Sequence, residues 1–493
     1  PLRKVLIANR GEIAVRVART CRTLGVSTVA VYSEADAAAR HVREADEAVC
    51  IGPAEAARSY LDIDRIVSAA RRTGADSIHP GYGFLSQNGD FAEAVSRAGL
   101  VFVGPPAAVH RGMGDKSAAR RLMAGSGVPV VPGYEGDDQA DATLVAEAAR
   151  IGWPVMIKPS RGGGGKGMRT VRGPGDFASA LAASRREARG AFGDDRMVLE
   201  RFLERPRHVE VQVVADAAGH IVHLFERECS IQRRHQKVIE ESPSPVLDAA
   251  SRERLCAAGV AAARAAGYVN AGTVEFLLDA TGAFYFLEMN TRLQVEHPVT
   301  EALTGLDLVR LQLEVAAGTE LALRQEDVCA RGHAVECRLY AEDPENDDLP
   351  SPGRILHFVG PEGPGVRLDS GVATGSEVTA HYDPLLAKVV TWGSDRGEAV
   401  ARMARALDDT VLLGVTTNRA RLRAIVGHPA FVRGALHTGF LEEHFGEAHA
   451  PAACPPEALA AALAALSLEM PAKTGKGTAT TDPWADAGPW RLA

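Results

Sequence analysis

Polar residues recur at every second position in Glu288, Asn290, Arg292, Gln294 and Glu296, with Met289, Thr291, Leu293 and Val295 between them. Side chains of an extended chain alternate between its two faces, so such a run puts two acids, two amides and an arginine on one side. Just upstream, 273–278 turn through 279–282 into 284–289, a hairpin pattern. A regular turn would set Phe286 opposite Glu275, with Glu288 as its diagonal neighbour at roughly 7–8 Å. Two carboxylates so placed can share divalent cations.

A second cluster is Lys158-Pro159-Ser160-Arg161-Gly162-Gly163-Gly164-Gly165-Lys166-Gly167-Met168. Consecutive glycines let backbone N–H groups wrap phosphate oxygens, and Lys158 and Lys166 add point charges. Lys166 is followed by Gly167 and a strand-like 168–171, not by Ser/Thr and a helix, so this is no Walker A loop; a hairpin lid over a nucleotide fits. His208, Gln232, His235 and Lys237 fall in strands and turns that would line the same cleft, and the backbone from Glu200 to Leu203 could pair with a base edge. Arg338 lies on an apparent strand, where pairing with Glu336 is the simplest local role.

The elements that would position these groups are partly legible. Residues 4–8, 12–24 and 27–32 read as strand, helix and strand, and short strands at 77–78 and 100–103 extend a parallel sheet. The first turn, Asn9-Arg10-Gly11-Glu12, lacks the GxGxxG of dinucleotide binders. A helix over 143–151 and a strand over 154–158 open a smaller unit. Beyond 204 the hairpins 208–214 to 221–228 and 273–278 to 284–289 predict an antiparallel α+β region. The expected segments are 1–105, a connector 106–130, a lid 131–203, a core and C-terminal region 204–445, and a linker 446–493.

Composition bounds the rest. The 493 residues are 46% apolar and 24% charged, ordinary globular values. A net charge of −8 offers no global field for nucleic acid or an anionic membrane. Only eight of the 55 basic residues are Lys, so internal lysines are candidates for sites that want a compact ammonium. Seven Cys without a CxxC pair suit reduced thiols. The longest aliphatic run, 458–468, is too short for a membrane span, and no secretory signal is read.

In five strings the chain resembles the biotin carboxylase component of the biotin-dependent carboxylases. They are 8–14 (Ala-Asn-Arg-Gly-Glu-Ile-Ala), 79–86 (His-Pro-Gly-Tyr-Gly-Phe-Leu-Ser), the glycine lid, 232–237 (Gln-Arg-Arg-His-Gln-Lys) and 288–298 (Glu-Met-Asn-Thr-Arg-Leu-Gln-Val-Glu-His-Pro). The resemblance spans about 1–445. It implies an ATP-grasp fold of mixed α/β and α+β class, with an N-terminal Rossmann-like domain, a mobile lid and a C-terminal domain. By resemblance Lys116, Lys158 and His208 approach the phosphates, with Gly163, Gly164, Gly165 and Lys166 in the lid. Glu200, Leu203, Gln232, His235 and Leu277 complete the ATP site, and Glu275, Glu288 and Asn290 hold Mg²⁺ or Mn²⁺. Glu296 would deprotonate bicarbonate held by Lys237, Arg292, Gln294 and Val295, yielding carboxyphosphate. Arg338 would stabilise the enolate-like oxygen of biotin, with Tyr82 nearby.

Arg161, Lys166, Arg201 and Gln87 depart from the acetyl-CoA carboxylase pattern. The lid form, His381-Tyr382-Asp383-Pro384 and the tail 482–492 look more like the α subunit of a 3-methylcrotonyl-CoA or related acyl-CoA carboxylase. That type implies a biotin carboxyl carrier domain, a carboxyltransferase β subunit, homo-oligomerisation, and a cytoplasmic or mitochondrial-matrix location. No Lys lies in a Met-Lys-Met setting, so the carrier's biotin is expected from outside this chain, which would be a truncated α subunit. The alternatives are an acetyl- or propionyl-CoA carboxylase component, an ATP-grasp carboxylate–amine ligase and a silent nucleotide-binding scaffold.

Overall fold

The computed structural model describes residues 2–160, 167–234, 236–446, 458, 460 and 461. Residues 1–446 form one unit; of 447–493 only 458, 460 and 461 are described, and they are helical.

Five short strands open the chain: β1 (Lys4–Ile7), β2 (Ser27–Ser33), β3 (Glu47–Gly52), β4 (Ser77–His79) and β5 (Val101–Phe102). They form a parallel sheet in the order β3-β2-β1-β4-β5. Leu6, Val29 and Ile78 are fully buried, as expected of strands covered on both faces. The turns at the ends of β1 and β4 meet through Asn9, whose Nδ2 donates to the carbonyls of Pro80 (2.8 Å) and Tyr82 (2.7 Å). Gly81 has φ +61°, and a Cβ there would lie 2.8 Å from that amide nitrogen, so the turn requires glycine.

Next comes a four-stranded antiparallel sheet, in the order β6-β9-β7-β8, of β6 (Gly133–Tyr134), β7 (Val155–Pro159), β8 (Arg169–Val171) and β9 (Met197–Arg201). Helices Asp141–Ile151 and Pro174–Phe192 cover it, burying Leu144, Ile157, Phe177 and Leu199.

The largest sheet has eight antiparallel strands, ordered β14-β13-β10-β11-β12-β15-β22-β20. Its members are β10 (Arg207–Ala215), β11 (Ile221–Arg233), β12 (Gln236–Ser242), β13 (Asn270–Leu278), β14 (Phe284–Asn290), β15 (His333–Tyr340), β20 (Val366–Ser370) and β22 (Leu385–Gly393). Small ribbons pair β16 (Glu342–Asp343) with β17 (Leu349–Pro350), β18 (Gly353–Arg354) with β21 (Glu377–Val378), and β19 (His357–Val359) with β23 (Val411–Leu413). One face of the large sheet is covered by helices and mainly apolar, with Glu241 and His333 buried on it. Val335, Cys337, Leu339, Ala387 and Val389 pack there against helices Arg396–Asp409 and Arg419–Gly427. The opposite face carries the charged cluster of Glu210, Arg227, Lys237, Glu240, Glu275 and Arg338. Among the described residues no helix is long and apolar enough to cross a membrane.

Candidate functional site

Two irregularities in the large sheet build its charged face. On the β13–β14 hairpin, Leu278 pairs with Phe284 and Phe276 with Phe286, but a bulge then brings Glu288 directly opposite Glu275. The expected pairing of Glu275 with Phe286 is therefore corrected. The turn pairs one residue later than a regular count allows, and the extra residue, Leu287, is left exposed. Without the bulge Leu287 would face Glu275, and Glu288 would point to the core. A second shift, on β12, pairs Gln232 with Lys237 and Ile231 with Ile239. Val238 and Ile239 both enter the core, so Lys237 and Glu240, three residues apart, share the charged side.

Lys237 stands at the centre. Its ammonium donates to Glu210 (2.5 Å), Glu275 (2.7 Å) and Glu296 (2.7 Å). Burial would drive its proton off, but the three carboxylates outweigh burial and hold its pKa well above the ordinary lysine value. Glu296 is fully buried. Burial raises its carboxyl, yet Lys237, Arg338 and Arg227 overcome this and keep it well below the usual carboxylate range. Glu275 is lowered likewise, burial being outweighed by Lys237 and His208. Glu210 moves the other way, raised by burial and by Glu296 despite Lys237 and Arg227.

The alternating run does not stay extended. β14 ends at Asn290, and Glu296 already caps helix His297–Thr304. The groups converge through a loop instead of a strand face, a correction with a physical cause: their side chains bond to one another and to side chains of β12, β13 and β15, and 291–296 pair with no strand backbone. Asn290 and Gln294 both donate to Glu275 (2.9 and 3.1 Å), while Arg292 donates to Asn290 Oδ1 (3.3 Å) and Gln294 Oε1 (2.8 Å). Arg338 donates to Glu240 through Nε (2.6 Å) and to Glu296 through Nη2 (2.9 Å). Its simplest expected partner, Glu336, takes no hydrogen bond from it; Glu336 instead faces Glu240 across the β12–β15 ladder.

Around this centre His208 Nε2 lies 3.2 Å from Glu275 Oε2, and Gln232 bonds His208 Nδ1 (2.7 Å). Leu277 is half-buried and pairs with His208 across the ladder. Lys116, largely exposed, reaches Glu288 at 3.6 Å. Lys158 and Glu200 pair with each other on the four-stranded sheet, with Leu203 buried just beyond. Tyr82 donates its hydroxyl to Glu12, and the Val295 carbonyl accepts from Lys388 (2.8 Å). Gly163, Gly164, Gly165, Lys166 and His235 lie outside the described residues.

Sequence reasoning missed Glu210, Glu240 and Arg227. Arg227 is fully buried and donates to Glu210 (2.6 Å), Gln212 (2.7 Å), Thr273 (3.0 Å) and Thr300 (2.9 Å). A signal existed: His208, Glu210 and Gln212 alternate with Val209, Val211 and Val213, a polar face on an otherwise apolar strand.

Glu275, buried, and Glu288, half-exposed, lie opposite each other on the ladder with Asn290 on the same strand as Glu288, and their side-chain oxygens are of the hard type that a divalent cation such as Mg²⁺ prefers. A buried acid gripped by two cations, near oxygen donors of this type, is equipped for proton transfer to or from a bound anion. Fold and site define an ATP-grasp enzyme.

Three family descriptions match the chain: "Biotin carboxylase, N-terminal domain" over residues 1–110, "Carbamoyl-phosphate synthase L chain, ATP binding domain" over 115–324, and "Biotin carboxylase C-terminal domain" over 336–443. The chain is 48% identical to mitochondrial methylcrotonoyl-CoA carboxylase subunit alpha of Dictyostelium discoideum over 494 residues, covering 100% of this chain and 71% of that one. It is 50% identical to the biotin carboxylase of Nostoc sp. over 440 residues, 89% of this chain and 98% of the relative. Among solved structures it matches the biotin carboxylase domain of Hydrogenobacter thermophilus 2-oxoglutarate carboxylase, in complex with MgADP, ADP and bicarbonate. That match has a TM-score of 0.84 and 43% identity, covering 92% of this chain and 99% of the other. This chain belongs to the biotin carboxylase family, whose members are ATP-grasp ligases. It spans 62% of the length of the rat methylcrotonoyl-CoA carboxylase α subunit.

Proposed function

We propose that the chain carries out the first half-reaction of an acyl-CoA carboxylase of the methylcrotonyl-CoA type: ATP-dependent carboxylation of carrier-bound biotin with bicarbonate. The observation that carries this is Glu296, a fully buried acid held between Lys237 and Arg338 beside Arg292 and Gln294.

Bicarbonate is a weak acid and a poor nucleophile, so it needs a positioned base and cationic clamps together. An anion entering beside Lys237, Arg292 and the Gln294–Val295 backbone takes a share of the ammonium's charge. Lys237 then holds Glu296 less firmly, burial raises the carboxylate's proton affinity, and Glu296 accepts the bicarbonate proton. The freed oxygen attacks the γ-phosphate, forming carboxyphosphate and releasing ADP. Carboxyphosphate breaks into CO₂ and phosphate; the phosphate removes the ureido proton of biotin, and Arg338 stabilises the resulting oxygen as CO₂ is captured. Tyr82 lies on the biotin side. Mg²⁺ or Mn²⁺ held by Glu275, Glu288 and Asn290 would screen the phosphate charge.

For the nucleotide, Lys116, Lys158, His208, Gln232, His235 and the lid with Gly163, Gly164, Gly165 and Lys166 serve the phosphates. Glu200, Leu203 and Leu277 serve the base. A biotin carboxyl carrier and a carboxyltransferase subunit are the matching partners. A mitochondrial-matrix or cytoplasmic setting is consistent with mitochondrial relatives.

The test is ATP cleavage by the chain with free biotin. Turnover should require bicarbonate and rise with biotin, and Glu296→Gln should lower it by about 10²-fold or more with the MgATP KM within about threefold. Bicarbonate-independent cleavage would overturn the proposal.

A further inference from the structure

Lys388 has no part in the steps above, yet it is fully buried in a chain that uses lysine only eight times. It lies on β22, directly across the ladder from Arg338 on β15 and from Asp369 on β20. Its ammonium donates to the Val295 carbonyl (2.8 Å), lies 3.2 Å from Glu12 Oε1 and sits 5.8 Å from the centre of the Tyr82 ring. The Tyr82 hydroxyl donates to the same Glu12 oxygen, and Glu12 stands in the first turn of helix Gly11–Thr23. One ammonium therefore joins the N-terminal sheet's first helix, the loop before Glu296 and the far side of the large sheet.

The Val295 carbonyl and the Glu296 N–H belong to one peptide plane, so fixing the carbonyl fixes the orientation of the Glu296 backbone. Arg338, the cross-strand neighbour of Lys388, holds the carboxylate of the same residue at 2.9 Å. Glu296 is thus gripped at both backbone and side chain by two cations from one rung of the ladder. Residues 291–296 form no strand, so no ladder of their own holds them. A compact ammonium offers its donors to a carbonyl and a carboxylate at once, whereas a guanidinium is larger, planar and fixed in a fork geometry.

We propose that Lys388 is a positioning residue for bicarbonate activation, setting the Val295–Glu296 peptide and, through Glu12, tying that setting to the Tyr82 loop. This rests on Glu296 acting as the base.

The experiment measures bicarbonate-dependent ATP cleavage with free biotin for wild type, Lys388→Met, Lys388→Arg and Glu12→Gln. KM for MgATP and for bicarbonate are determined separately, with thermal unfolding alongside. Misplacing a reacting group by about 1 Å costs about 10²-fold, so both Lys388 variants should lose about 30- to 100-fold in kcat/KM for bicarbonate while the MgATP KM moves less than about threefold. Glu12→Gln keeps the size and an acceptor oxygen, and should lose less than about tenfold in the same parameter. Wild-type kcat/KM for bicarbonate in Lys388→Arg overturns the proposal, because charge alone would then suffice. So does a parallel worsening of both KM values, the mark of a merely structural role. If Lys388→Met fails to fold, the Arg and Gln variants decide. Wild-type cleavage that ignores bicarbonate removes the base role of Glu296, a failure visible before any variant is made.

Discussion

Glu240 and Glu241 are adjacent on β12 and buried on opposite faces of the large sheet. On the helix-covered face, Glu241 takes His333 Nε2 (2.6 Å) and two nitrogens of Arg396 (2.6 and 3.0 Å). Burial alone would raise its carboxyl, but His333 and Arg396 outweigh this and hold it below the ordinary value. On the site face, Glu240 has Arg338 on one oxygen, while its other oxygen and both oxygens of the facing Glu336 have no hydrogen-bond partner among the described residues. There burial, opposed by Arg338 and reinforced by Glu296, pushes the Glu240 carboxyl up to about 7. A face that only packs can match every charge. A face that must exchange protons and ions keeps acids whose matching is incomplete, and the surrounding fold has to sustain that cost.

The largest effect on stability should come from the packed face. Glu241→Gln leaves the Arg396 guanidinium without its buried counter-charge and should cost about 3 kcal/mol in urea unfolding at pH 7, with turnover per folded molecule unchanged. A loss below about 1 kcal/mol would mean that the two faces do not differ as described.

Glu240→Gln should act with the opposite sign. Because the folded Glu240 carboxyl sits above the ordinary 4.5, its stabilising contribution is complete below about pH 4.5 and is lost as pH rises through about 7. Wild type should therefore be less stable at pH 8 than at pH 5 through this group, and the Gln variant should flatten that slope by on the order of 1–2 kcal/mol. Thermal unfolding across pH 5–8 checks it, and an unchanged slope removes Glu240 as its source. Glu336 also lies well above the ordinary value, through burial that Lys388 only partly offsets. Glu336→Gln mimics its protonated form, so the smallest change, under about 1 kcal/mol at pH 6, is expected there.

Much of this was legible in the chain. The βαβ opening, the hairpins and the acids Glu275, Glu288 and Glu296 follow from alternation, turn residues and spacing. What was not legible turns on single residues. A strict period of two puts Lys237 and Glu240 on opposite faces, and a regular turn sets Phe286 against Glu275; the first is undone by the extra residue Val238 on β12, the second by a turn that pairs one residue later together with the Leu287 bulge. The partner of Arg338 was misjudged for a different reason: Glu336 is two positions away in sequence, whereas Glu240 and Glu296 reach it only through strand pairing and a loop.

The order of residues by itself determined which groups could do chemistry and which segments would be strands, because side-chain type and local propensity are properties of the chain alone. Folding in three dimensions decided which of those groups meet. Bulge placement and the loop from 291 to 296 are settled by packing Val238, Ile239, Phe286 and Met289 into apolar cores. Burying those side chains selects the register that puts Lys237 and Glu240 on the site face and sets Glu288 opposite Glu275.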